Sequence, residues 1–230
     1  TGPGGRIVEK DVEAAAKTDG GAETKTESEY KPGQVIPLNR LQKITGERML
    51  KSKREIPCFY LTVRADMTEL VAYREKINSS GSTKVSYNDF IIRAVAMGLD
   101  KFPIMTGQLE GETIKLADSI DIGIAISVPG GLVAPLIKNA DQKNVQQIAA
   151  DTQGLVQRAR DNKLSLEDLE GGCITVSNLG AFGIDSFIPV VVPGQCSILG
   201  IGQITDTPVP QPHEMSIRKM MNMTLSLIHI

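Results

Sequence analysis

Ser177 and Asn178 put a hydroxyl beside an amide in the middle of a long apolar stretch. The run before them, Cys173-Ile174-Thr175-Val176, is apolar and β-branched and predicts a buried strand. Ser177-Asn178-Leu179-Gly180 predicts a sharp turn, because Asn and Gly tolerate positive φ. Gly183 loosens the backbone again before residues 187–192, which predict a second strand closed by Pro193-Gly194. Such a strand–turn–strand unit holds both polar groups at the end of a rigid element, as a site requires. The same side chains also suit a local task, hydrogen bonding to backbone within the turn. The two histidines are His213, in a Pro-rich loop that predicts solvent exposure, and His229, next to the last residue. Cys58, Cys173 and Cys196 lack metal-ligand spacing and cannot all pair, which suits a reducing compartment and buried, apolar roles.

The elements that must position these groups come from a chain of 230 residues, enough for one large domain or a domain with appendages. Its 41% hydrophobic content supports a core. A net charge of -2 argues against a nucleic-acid partner, which needs a clustered basic surface. No apolar run approaches the ~20 residues that span a bilayer, and the opening Thr1-Gly2-Pro3-Gly4-Gly5 does not read as a signal peptide, so no membrane role is expected.

Residues 1–16 predict a Gly/Pro turn and a short helix with Asp11 near its start. Residues 17–34 are polar, small and charged and predict a flexible linker. From residue 35 onward the composition turns globular. Helices are expected over 40–53, over 68–78 with Thr68 as cap, over 86–102 and over 144–163. Strands are expected over 56–67, over 112–128 as one strand or a pair, over 132–137 with Pro135 at an edge or bulge, over 196–201 and over 218–226. Ser165 to Asp168 reads as a capping box, and residues 208–212 as a rigid Pro-rich loop.

The words T-V-S-N-L-G-x-F-G, followed by Pro-Gly and C-S-I-L-G-I-G, closely resemble the catalytic domain of the dihydrolipoamide acyltransferases, the core subunits of 2-oxo acid dehydrogenase complexes. The resemblance extends to Arg40, Lys43, Ile44, Arg48 and Met49, to I-P-C-F-Y-L at 56–61, V-S-Y-N-D-F-I-I-R-A at 85–94, D-I-G-I-A-I at 121–126 and G-L-V-A-P-L-I at 131–137. It implies an α/β fold (an α+β two-layer sandwich), with a chloramphenicol acetyltransferase-like mixed sheet flanked by helices over residues 35–230. It also implies acyl transfer, acetyl above all, between a dihydrolipoyl arm and coenzyme A. In that family the Ser177 position donates a hydrogen bond to the oxyanion, and a histidine is the general base. The two meet between subunits of a homotrimer, and trimers build a cubic or dodecahedral core.

Further expectations rest on the same resemblance. Arg40, Arg48 and Lys53 would meet coenzyme A phosphates, although a solvated helix face accounts for them as well. Asn88 would belong to the substrate and coenzyme A site. Residues 1–16 resemble the tail of the peripheral-subunit-binding domain, in which Arg6 would help dock the 2-oxo acid decarboxylase or the dihydrolipoamide dehydrogenase. Lipoate would be carried by a domain outside this chain, with coenzyme A as co-substrate and no metal. The location would be the bacterial cytoplasm or the mitochondrial matrix. Many members carry His at the Cys58 position, which is not that of the base. A non-catalytic scaffold is the competing reading. A stand-alone acetyltransferase of the chloramphenicol type is another, opposed by the linker and the docking remnant.

The pattern breaks at the end of the chain. The family continues from M-T-L-S into C-D-H-R-x-x-D/N-G, whereas this sequence continues L-I-H-I. His229 falls in register with the catalytic histidine, but its neighbours do not match. L-S-L-I-H-I is also the translation of a common transposon adapter used in sequencing libraries. The expectation is a catalytic domain cut off before its histidine motif, with His229 in register by accident and the fragment inactive.

Overall fold

A computed structural model describes residues 31–80, 83–129, 131–210 and 215–228. Backbone contacts divide the chain into two units, residues 1–37 and 38–230. In the first, residues 31–34 form a turn closed by the Gln34 N–H donating to the Lys31 carbonyl at 3.1 Å. The helix expected over 1–16, and Arg6 with it, lie outside the described residues, as does the linker up to residue 30.

The second unit opens with α1 (Arg40–Glu55), β1 (Phe59–Asp66), α2 (Thr68–Ser80) and α3 (Tyr87–Lys101). Six short strands follow: β2 (Gln108–Glu110), β3 (Thr113–Lys115), β4 (Ile122–Ile124), β5 (Ile126–Val128), β6 (Gly131–Val133) and β7 (Leu136–Ile137). The rest is α4 (Val145–Arg160), β8 (Ile174–Asn178) and two long strands, β9 (Ser197–Pro210) and β10 (Met215–Leu227). All four helices begin within one residue of expectation. Asn39, Ser86 and Asn144 each cap the helix that follows, and the third helical residue in each answers with its own side chain to the cap N–H. In α2 the cap differs from expectation. Thr68 does not cap α2; its hydroxyl accepts the Lys219 N–H at 3.0 Å, while Asp66 accepts the Thr68 N–H at 2.9 Å.

A six-stranded mixed sheet organises the unit in the order β1-β10-β9-β8-β4-β7. The β8 neighbours are both parallel, and the outer pairs are antiparallel. Period-2 alternation gives the sheet two different faces. Ile174 and Val176 of β8, Ile201 of β9 and Met221 of β10 enter one core with Ile92 and Ala96 of α3 and Ile148 and Leu155 of α4. On the other face, pairing aligns Ser177 with Gly200, Gly200 with Thr224 and Thr224 with Thr62. This is the mixed sheet flanked by helices that the resemblance implied.

Residues 187–192 are not a strand. Both sides of the adjacent β9 backbone are already occupied by β8 and β10, so no ladder is open to this segment. It crosses the hydroxyl face as a strap, held by side chains. The Ser52 hydroxyl of α1 donates to the Val191 carbonyl at 2.6 Å, and the Ser226 hydroxyl of β10 donates to the Pro189 carbonyl at 2.7 Å. The strap fits because β9 presents glycine beneath it. A Cβ on Gly200 would press on Phe187 and Pro189, and one on Gly202 would overlap the Asp185 carbonyl.

Three smaller differences have local causes. Residues 112–128 break into β3, β4 and β5 rather than forming one strand or a pair. Pro208 and Pro210 lie within β9, not in a loop, because β8 pairing ends at Ile201 and the outer edge there needs no donor. The strand expected over 132–137 breaks into β6 and β7 at Pro135, which is buried at the sheet's edge as expected and whose carbonyl accepts the Ile124 N–H at 2.9 Å.

Gly202→Ala should destabilise the domain by about 1–3 kcal/mol, the usual effect of overpacking. Denaturant unfolding should show a lower midpoint with an unchanged slope. An unchanged midpoint would mean that the strap has room to retreat.

Candidate active site

Ser177 and Asn178 are the last two residues of β8, where the parallel sheet delivers side chains to its C-terminal edge. One residue earlier Val176 enters the helical core, so Ser177 must face the strap side. Ser177 is half-buried, and its hydroxyl has no hydrogen-bond partner among the described residues. Asn178 behaves differently. Its Oδ1 accepts the Gly180 N–H at 2.8 Å, closing an Asx turn, and its Nδ2 donates to Asn88 Oδ1 of α3 at 2.6 Å. The local task open to both residues thus falls to the amide and leaves the hydroxyl available.

The turn is gripped from below as well. The Leu179 N–H donates to Ile201 at 3.1 Å and the Gln203 N–H to Ile184 at 2.8 Å. Residues Gly180–Phe182 make one 3-10 turn so close to β9 that a Cβ on Gly180 would overlap the Gly202 carbonyl. At the other end of β8 the buried Thr175 hydroxyl donates to Gln195 Oε1 at 2.7 Å, and Gln195 Nε2 donates to the Gly171 carbonyl at 3.3 Å.

The structure therefore brings Ser177, Asn178 and Asn88 together. Arg40, Arg48 and Lys53 stand exposed on α1 without an ion pair among the described residues. His213 and His229 lie outside the described residues. The route toward the latter is described up to Ile228, whose N–H donates to the Cys196 carbonyl at 3.3 Å. Ser177 is level with Gly200, four residues further along β9. At about 3.3 Å per residue, β10 has carried the chain about 13 Å from the level of Ser177 by that point, and it runs away from it. Two supporting residues, Ser52 and Gln195, were not foreseen. Nothing in local spacing pairs Ser52 with Val191, 139 positions away.

No cysteine is activated toward its thiolate. Cys173 and Cys196 are fully buried. Burial raises both thiols, Cys196 to about 11. Cys58 is half-buried and is also raised by burial, with Lys53 opposing. Among the described residues no group of three or more His, Cys, Asp or Glu side chains is placed to hold a metal ion, and no helix is long and apolar enough to cross a membrane.

The profile of the 2-oxoacid dehydrogenases acyltransferase (catalytic domain) family matches residues 30–229. The chain belongs to this family. The dihydrolipoyllysine-residue acetyltransferase component of the pyruvate dehydrogenase complex of Rickettsia bellii is 36% identical over 240 residues, covering 100% of this chain and 56% of the relative. The mitochondrial counterpart from Caenorhabditis elegans is 38% identical over 242 residues, covering 100% of this chain and 47% of the relative. The chain thus spans about half the length of the curated relatives it matches. Among solved structures, a probable dihydrolipoamide acetyltransferase from Listeria monocytogenes aligns with a TM-score of 0.82 at 35% identity, over 86% of each chain. The cubic core of a pyruvate dehydrogenase multienzyme complex aligns at 0.83 and 29% identity, over 88% of this chain and 85% of that one. Ser177, Asn178 and Asn88 all fall within the matched acyltransferase domain.

Iodoacetamide under native conditions near pH 8 should label Cys58 well before the two buried thiols of this acyltransferase domain, as read by peptide mass spectrometry. Comparable early labelling of Cys173 or Cys196 would contradict the packing of β8 against β9.

Proposed function

We propose that this domain transfers an acyl group, acetyl in the first place, between a dihydrolipoyl arm and the thiol of coenzyme A. The observation that carries the reading is the half-buried Ser177 hydroxyl, fixed at the end of β8 and free of partners among the described residues. A histidine base takes the proton from the attacking thiol. The thiolate adds to the thioester carbonyl, and the Ser177 O–H donates to the oxygen as it gains negative charge. Collapse of the tetrahedral intermediate expels the other sulfur as thiolate, which recovers the proton from the imidazolium.

The base comes from a second copy of the chain. Support lies in the course of β10, which leads away from Ser177 before residue 229 is reached. His229 stands in register for the base but lacks the C-D-H-R-x-x-D/N-G surroundings, so the transfer is proposed for a parent enzyme that carries that motif and not for this chain alone. Exposed Tyr60, Leu61 and Val63 on β1 offer apolar surface suited to packing between copies. A homotrimer that builds a larger core fits the neighbour described as a cubic core. Arg40 and Arg48, exposed and without an ion pair among the described residues, are guanidinium groups suited to coenzyme A phosphates. The 2-oxo acid decarboxylase and dihydrolipoamide dehydrogenase are the partners of such a core, with Arg6 in the docking segment. The relatives named as bacterial and mitochondrial proteins suit a location in the bacterial cytoplasm or the mitochondrial matrix.

Ser177→Ala in the assembled enzyme should lower kcat by ~10²–10³, the usual effect of losing one oxyanion donor, and leave KM for coenzyme A nearly unchanged. Steady-state acetyl transfer to dihydrolipoamide measures it, and undiminished turnover would sink the proposal. In analytical ultracentrifugation the active species should sediment as a trimer or a multiple of one. A monomer that turns over would refute the shared site.

A further inference from the structure

We infer that Asn88 is a positioning residue for Ser177, acting through Asn178 rather than touching either substrate; this rests on reading Ser177 as the oxyanion donor. The amide orientations follow from the hydrogen bonds. The Gly180 N–H can only donate, so the side-chain atom of Asn178 that meets it at 2.8 Å is the oxygen. The Asn178 nitrogen then points the other way, and its partner at 2.6 Å must be an acceptor, Oδ1 of Asn88.

Asn88 is itself held by a rigid element. It is the second residue of α3, two positions after the cap Ser86, whose N–H and hydroxyl both donate to Asp89 Oδ2 at 2.7 Å. Directly beyond Asn88, α3 is anchored in the core by Ile91 and Ile92. The Asn88 oxygen is thus a fixed point outside the sheet, and the Asn178 amide strings the end of β8 to it. Ser177 is bonded covalently to Asn178, the ladder with β9 holds its backbone on one side only, and its hydroxyl has no hydrogen-bond partner of its own among the described residues. A shift of Asn178 therefore moves the hydroxyl directly. Rate falls steeply with such displacement, because an oxyanion donor acts only when preorganised.

The acceptor oxygen is the part that matters, and this makes the inference specific. In the assembled enzyme, Asn88→Ala should lower kcat roughly tenfold, the rate equivalent of one hydrogen bond, with KM for both thiol substrates unchanged. Asn88→Asp keeps an oxygen for the Asn178 amide and should restore the rate. In a Ser177→Ala background, Asn88→Ala should have no further effect on kcat, since the group it positions is gone. Asn88→Leu, similar in size and without an acceptor, repeats the test should the alanine variant fail to assemble. A raised KM, a full loss in the Ser177→Ala background, or a wild-type kcat in both Asn88→Ala and Asn88→Leu would each overturn the inference. An undiminished rate in Ser177→Ala alone would instead condemn the oxyanion reading on which it stands.

Discussion

Close contact between β9 and the chain segment above it is the constraint on which the rest depends. Gly200 and Gly202 carry no side chain, so residues 183–192 lie almost directly on the sheet. The Gly180–Phe182 turn uses the same absence of side chains to settle over β9. A single methyl group would separate these layers. The hydroxyl of Ser177 keeps its position because the backbone around it has nowhere to move, not because its own side chain is bonded. Ser52 and Ser226, donating to the strap's carbonyls, keep this layer closed where no ladder exists.

The sheet's two faces divide the work between stability and chemistry. Its apolar face, from Ile174 through Ile201 to Met221, is packed under α3 and α4 and supplies the hydrophobic stabilisation. The opposite face carries the row that runs from Thr62 through Thr224 and Gly200 to Ser177. Side chains in that row are small, and the Thr62 and Thr224 hydroxyls pair with each other, 3.1 Å apart. Polar groups gathered there do not disturb the core, and the half-buried Ser177 hydroxyl, unpaired among the described residues, stands at the row's end.

Much of this was legible in the residues themselves. Apolar periodicity announced the helices, whose caps Asn39, Ser86 and Asn144 only the structure shows, and alternating or β-branched runs announced β1, β8 and the start of β9. The Ser177–Asn178 turn stood out because polar groups interrupted an apolar strand. The legible part was local, and the illegible part was not. Val190-Val191-Val192 reads as strand on propensity alone, yet strand pairing needs an open edge, and only the completed sheet shows that β9 has none. Thr68 looked like a cap because the sequence cannot show Lys219 reaching it from 151 positions away. Asn88 drew attention as part of a family word, but its partner Asn178 lies 90 positions on, so its task could be read only from the fold.

The antiparallel run of β10 has a consequence for how such a protein comes into being in a cell. One polypeptide presents its hydroxyl at one end of the sheet and sends its tail toward the other. On the proposed reading, a newly made copy is therefore chemically silent, because it holds each half of the machinery out of reach of the other. Competence appears only once copies associate, so thioesters are not squandered by stray subunits. Half-built assemblies and finished ones then differ in kind, and the cell needs no separate signal to tell them apart.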